Sequence, residues 1–131
     1  MTTPYLDEDT VTETITQVIA DFGPDHIYAH ASDNNKACYY ELYDPDEDTT
    51  YRCIAGEVLH RLVDTDTWAD IVDFHNASDV LMLASDGRIN VDDRTLRALN
   101  RAQRVQDAGE TWGEALDAYH VILSWDDGRL E

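Results

Sequence analysis

The stretch YRCIAGEVLHRL, residues 51 to 62, sets a cysteine at an expected strand-to-helix junction and a histidine seven residues later. A thiol at a helix N-terminus can have its thiolate stabilised by the helix dipole, and Arg52 beside it would add to that effect. Cys53 is therefore the candidate nucleophile of a cysteine-dependent hydrolase. Such an enzyme also needs a histidine base held by a third polar group. His60 lies roughly 10 Å further along the same helix by the 1.5 Å rise per residue, out of reach of the sulfur. His26, His30, His75 and His120 are the remaining bases, with His30 and His75 the partners the hydrolase reading would use. The alternative is structural: free cysteines are usually buried, and Cys53 would pack beside Gly56 at the junction.

Metal chemistry finds little support in the spacing. Cys38 and Cys53 belong to no CxxC pattern, and His26 and His30 fall in an expected strand, where positions four apart are separated by about 13 Å. The run SDGRINVDD has a glycine at the third position of a calcium loop and lacks its terminal glutamate, so it is read as a capped turn. No catalytic residue beyond Cys53, no metal and no cofactor is assigned.

Charge is the second source of chemistry. The chain of 131 residues carries 28 acids against nine bases, a net charge of −19, with Lys36 its only lysine. Direct contact with nucleic acid or an anionic membrane is disfavoured. Residues 1 to 50 hold 12 acids and one base, including Asp44, Asp46, Glu47 and Asp48 in the stretch DPDEDTT. Acids spread over a surface can imitate duplex phosphate, which presents one charge per about 1.7 Å of axis, so a DNA-mimic inhibitor of a nucleic-acid-binding protein is one reading. Adaptation to high salt and simple solubility are others. Against this background Arg94, Arg97, Arg101 and Arg104 recur at steps of three, four and three along one helical stripe. They either pair with carboxylates of the same chain or form a contact surface for a partner.

The elements that must position these residues follow from periodicity. Val11, Ile15, Val18, Ile19 and Phe22 define a helix with a capping box at Thr10 and Glu13, ended by Gly23-Pro24. IYAHA and KACYYELY, separated by SDNN, predict a hairpin, with Cys38, Tyr40 and Leu42 on one face; Tyr51 and its neighbours add a short third strand. Ile54, Val58, Leu59 and Leu62 form the apolar face of the helix beginning near Cys53, where Gly56 permits close approach of another backbone. A segment capped at Thr67 and Asp70 carries Trp68, Ile71, Val72 and Phe74, and Asn76 to Ser78 lead into Val80 to Leu83. Asp86-Gly87 is a turn. The run VDDRTLRALNRAQRVQDAG has acids first, arginines through its body and Gly109 past its end, and Leu96, Leu99 and Ala102, with Gln103 or Gln106, lie around from the arginines. Thr111 and Glu114 cap a last helix. The expected fold is one α+β domain over residues 1–131, with 1–9 flexible, in which a small antiparallel sheet of two or three strands packs against about five helices. No segment reaches the roughly 18 apolar residues of a membrane span, and the start of the chain has no signal-peptide pattern, which predicts a cytoplasmic protein.

Two segments, RCIAGEVLHRL and LRALNRAQRVQDAGETWGEALDAY, resemble a group of small uncharacterised proteins of actinobacteria and their bacteriophages. The shared features are a Cys-x-x-Gly helix start and a Gln-Asp-x-Gly-x-x-Trp-Gly segment, matched here by Cys53 and Gly56, then Gln106, Asp107, Gly109, Trp112 and Gly113. The resemblance covers about a third of the chain and implies a phage or actinobacterial origin without an activity. Each matched residue also has a structural explanation: Gly56 and Gly113 for close packing, Gly109 to end a helix, Trp112 as a core anchor. Together these readings predict a non-enzymatic acidic accessory protein, phage-encoded and located in the host cytoplasm, that binds a host or phage protein.

Overall fold

The computed structural model describes residues 5–27, 40–45, 48–75 and 80–124. In chain order the elements are β1 (Tyr5–Leu6), α1 (Glu8–Phe22), β2 (Leu42–Asp44), β3 (Thr49–Tyr51), α2 (Ile54–Leu62), α3 (Thr65–His75), α4 (Val80–Ser85), β4 (Asn90–Val91), α5 (Asp93–Asp107) and α6 (Trp112–Ser124). The class is α+β, as the alternation of periods predicts. The helices supply most of the core: Val11, Ile15, Val18 and Ile19 from α1, Ile54, Val58 and Leu59 from α2, Ala98, Leu99 and Ala102 from α5, and Trp112, Ala115 and Tyr119 from α6. Helix α5 packs against α2, α4 and α6, while α1 closes against α2 and α6. Apolar spacing of three and four residues thus turns each helix toward one shared interior.

The strands differ from the expectation of one antiparallel sheet. β2 and β3 do pair antiparallel, Leu42 with Tyr51 and Asp44 with Thr49, around the acidic turn. β1 and β4 instead form a separate parallel pair, Tyr5 beside Asn90 and Leu6 beside Val91. Residues 5–9, expected to be flexible with the rest of 1–9, therefore contribute a strand, the cap of α1 and its first residues. The hairpin expected between IYAHA and KACYYELY falls mainly on 28–39, outside the described residues.

Two helices start a turn earlier than their threonines suggest. Asp7 caps α1, its carboxylate accepting the Thr10 backbone N–H at 2.8 Å, and Asp64 does the same for Thr67 at 2.7 Å ahead of α3. In each case a carboxylate three residues upstream supplies the cap, and its charge also suits the positive end of the helix dipole. At α6 the expected capping box is present: the Thr111 N–H donates to Glu114 Oε1 at 3.1 Å, and the Glu114 N–H donates to Thr111 Oγ1 at 3.2 Å.

Glycine governs two close approaches. A Cβ on Gly56 would sit 2.3 Å from the backbone oxygen of Tyr40, so the chain entering β2 can cross α2 only over a residue without a side chain. At Gly113 a Cβ would meet the Cβ and oxygen of Pro24 at 2.9 Å. The contact is used: Pro24 O accepts the Gly113 N–H and His26 O accepts the Trp112 N–H, both at 2.8 Å. The loop after α1 thereby satisfies donors that the first turn of α6 would otherwise leave open.

Candidate functional site: a sealed thiol and a divided arginine face

Cys53 is fully buried at the N-cap of α2. Its Sγ accepts the Gly56 N–H at 3.3 Å. The neighbouring donors are taken by α5, since Gln106 Oε1 accepts the Ile54 N–H at 2.9 Å and Gln103 Oε1 accepts the Ala55 N–H at 3.0 Å. Asp107 Oδ1 holds both amides in place, accepting from Gln103 Nε2 at 3.2 Å and Gln106 Nε2 at 3.0 Å. With Glu57 N–H donating to Cys53 O, every donor of the first turn is satisfied inside the protein. The dipole that would activate a thiolate is met by side-chain oxygens, and the sulfur works as a helix cap.

Three of the histidines pack against aromatic rings. His60 packs edge-on against Trp68 with ring centroids 5.0 Å apart, His26 does so against Trp112 at 4.5 Å, and His120 against Tyr119 at 5.5 Å. None of these three hydrogen-bonds the Cys53 sulfur, which accepts from the Gly56 N–H. His30 and Cys38 lie outside the described residues. Arg52, expected to favour the thiolate, is directed to Glu41 at 3.0 Å and Glu57 at 3.7 Å. No group of three His, Cys, Asp or Glu among the described residues could hold a metal ion.

The arginine stripe lies along α5 opposite its buried Leu96, Leu99, Ala102, Gln103 and Gln106, as the spacing predicts. Its four members have different surroundings. Arg94 reaches Glu8 at 2.7 Å and donates to Leu123 O at the end of α6 at 3.3 Å. Arg97 pairs with Asp93 one turn back at 3.2 Å. Arg101 and Arg104 are exposed and make no ion pair with any described residue. Beside Arg101, Ala118, Val121 and Ile122 of α6 line an open depression of about 510 Å³. Val121 is 46% exposed there, so Arg101 adjoins an apolar surface that the described residues leave open.

The acids named with the stripe divide as well. Asp48 lies at the β2–β3 turn in a left-handed conformation, φ 52°, where its carboxylate accepts the Tyr43 hydroxyl at 2.6 Å. Asp44 pairs through its backbone with Thr49, and Asp46 and Glu47 lie outside the described residues. Elsewhere Asp7, Asp64, Asp92 and Glu114 hold helix N-termini. Exposed acids are distributed over α1 (Asp9, Glu13, Asp21), α3 (Asp66, Asp73), α5 (Asp93) and α6 (Glu114, Asp117). Part of the excess negative charge thus has local structural work at caps and turns.

Sequence reasoning missed two features of this region. The Gln103–Gln106–Asp107 cap has a partial signal, two glutamines on the apolar side of an otherwise basic helix. The depression has none, because it exists only once α6 is docked against α5.

Fold and site together define a small α+β domain with a sealed thiol and one partly uncompensated basic face. Comparison with family models, with curated protein sequences and with solved structures finds no match for the chain. No helix of the described residues is long and apolar enough to cross a membrane.

Proposed function

We propose that the chain is a non-enzymatic accessory protein that binds another protein through the α5–α6 face. The resemblance of its middle and C-terminal segments supports a phage or actinobacterial origin, and hence a host or phage protein as the partner, met in the host cytoplasm. One observation carries the reading: on a chain of net charge −19, Arg101 and Arg104 stand exposed without an ion pair among the described residues, and Arg101 lines an open apolar depression. Exposed surface charge usually serves solubility, yet two arginines do the opposite here, since they lower the net charge.

The hydrolase reading ranks below this one because the Cys53 sulfur is buried and engaged as a cap. Imitation of duplex phosphate also ranks below it, because the exposed acids are spread over α1, α3, α5 and α6 and several others are occupied at helix N-termini. Direct nucleic-acid contact is opposed by the net charge.

A tagged pull-down from actinobacterial lysate tests the reading, using wild type and the R101E/R104E double variant. One protein species retained by wild type and lost with the variant is the expected result. If wild type retains no specific species at low or high salt, the reading fails.

A further inference from the structure

Resting on that reading, we infer that the partner presents an amphipathic helix whose apolar stripe enters the α5–α6 depression and whose flanking carboxylates pair with Arg101 and Arg104. Ala118, Val121 and Ile122 stand at i, i+3 and i+4 on α6, the spacing of one helix face. Arg101 and Arg104, three apart on α5, likewise lie one above the other. The result is an apolar strip that Arg101 borders, with Arg104 one turn further along α5. Docking of a helix into a groove uses anchors at the same i, i+3 and i+4 spacing, so the two strips match in period. The volume of about 510 Å³ has room for a few aliphatic side chains.

Charge decides the chemistry of the flanks. A partner burying the Arg101 stem while offering only apolar or basic groups would desolvate a guanidinium without a counter-charge, a cost that selects for carboxylate. The remainder of the domain is strongly acidic and repels a partner that is acidic throughout. The occupant therefore carries its acids beside the apolar stripe and basic residues on its far face. A second copy of this chain is disfavoured by the same argument, since each carries −19.

Two fluorescein-labelled helical peptides test this. Both have leucines at i, i+3, i+4 and i+7 and zero net charge; one places Glu beside the leucines and Lys on the far face, and the other exchanges them. Measured by fluorescence polarisation in about 0.15 M salt, where the Debye length is about 8 Å, long-range terms are screened and contact terms remain. Wild type is expected to bind the Glu-flanked peptide about tenfold more tightly than its counterpart, and R101E/R104E to reverse that order. Amide chemical shifts of Ala118, Val121 and Ile122 are expected to move on binding. Should the double variant lose its fold by circular dichroism, R101Q/R104Q serves instead and is expected to abolish the preference.

Equal binding of the two peptides by wild type, or an unchanged preference in the variants, overturns the inference. So does perturbation confined to other residues. Concentration-dependent dimerisation by sedimentation velocity, lost in R101E/R104E, would assign the surface to a second copy. The outcome is separable from the reading it rests on: a lysate protein retained by wild type and lost with R101E/R104E, while the two peptides bind equally, leaves binding through this face standing and removes the acid-flanked helix from it.

Discussion

The side-chain oxygen of Gln106 lies 2.9 Å from the backbone nitrogen of Ile54, so a residue near the end of α5 completes the first turn of α2. Gln106 is fully buried, as is Ile54, and no water can replace the lost acceptor without opening the core. Gln106→Leu keeps a similar volume and removes the oxygen. It is expected to cost about 2 kcal/mol, the penalty of a buried donor left unsatisfied, read as a lower urea midpoint at unchanged slope. A shift indistinguishable from zero would mean that α2 does not depend on this bond.

The crossing at Gly56 should be less forgiving than the turn at Gly109. A methyl group at Gly56 would enter the Tyr40 backbone, whereas Gly109, with φ 91°, has open space where its Cβ would stand. Gly56→Ala is expected to cost about 3 kcal/mol through overpacking against backbone, and Gly109→Ala about 1 kcal/mol through left-handed strain alone. Urea unfolding of the two variants gives the order directly. Equal costs would argue that β2 moves freely away from α2.

Burial at the N-cap also fixes how Cys53 meets reagents. In a Cys38→Ser background, a thiol-specific disulfide reagent should modify Cys53 only as fast as the domain opens, with prompt reaction once urea unfolds it. Stoichiometric modification within the mixing time of the folded protein would contradict a sealed thiol and return it to the list of candidate nucleophiles.

Acid sensitivity should be traceable to two caps. The Thr10 N–H holds the Asp7 carboxyl below the usual carboxylate range, and the Thr67 hydroxyl and N–H do the same for Asp64. With a folded-state pKa below the unfolded one, the unfolded chain takes up protons first as pH falls. The stabilisation is therefore present above about pH 4 and lost as pH drops through the folded-state values. Stability of D7N/D64N, followed by urea midpoint from about pH 5 to about pH 3, should fall less steeply than that of wild type. Parallel curves would show that these caps do not titrate with folding.

His26 should add a second, milder slope. Burial against Trp112 and Phe22 lowers its pKa, so the folded protein favours the neutral ring. Stability is then level above the unfolded value near 6.5 and declines as pH falls through the lower folded-state value. Between about pH 7 and about pH 5 wild type should lose more stability than His26→Phe, which keeps an aromatic contact without a titrating group. A variant that loses as much as wild type would place the slope elsewhere.

Much of this architecture was legible from spacing alone. The apolar period marked α1, α2, α5 and α6, and the predicted box at Thr111 and Glu114 matches the bonds formed. The predicted caps at Thr10 and Thr67 were wrong because threonine and aspartate both cap well, and only the three-residue offset to Asp7 and Asp64 separates them. The β1–β4 pair had no local signal: two residues each, remote in sequence, and parallel. For the site, the stripe itself was readable from steps of three and four. Which arginines stay uncompensated was not, because the acid that meets Arg94 is Glu8, on another helix, and the apolar neighbours of Arg101 arrive with α6.

The glutamine cap also bears on how the chain matures at the ribosome. Ile54 and Gln106 are 52 residues apart, and Ala55 and Gln103 are 48 apart. At about 5–20 residues per second, synthesis leaves α2 without its finishing acceptors for roughly 3 to 10 s after its own residues appear. During that interval the sulfur of Cys53 and the open donors beside it are exposed to the nascent-chain environment. The thiol that is buried in the finished domain is accessible for that interval, which closes once α5 docks.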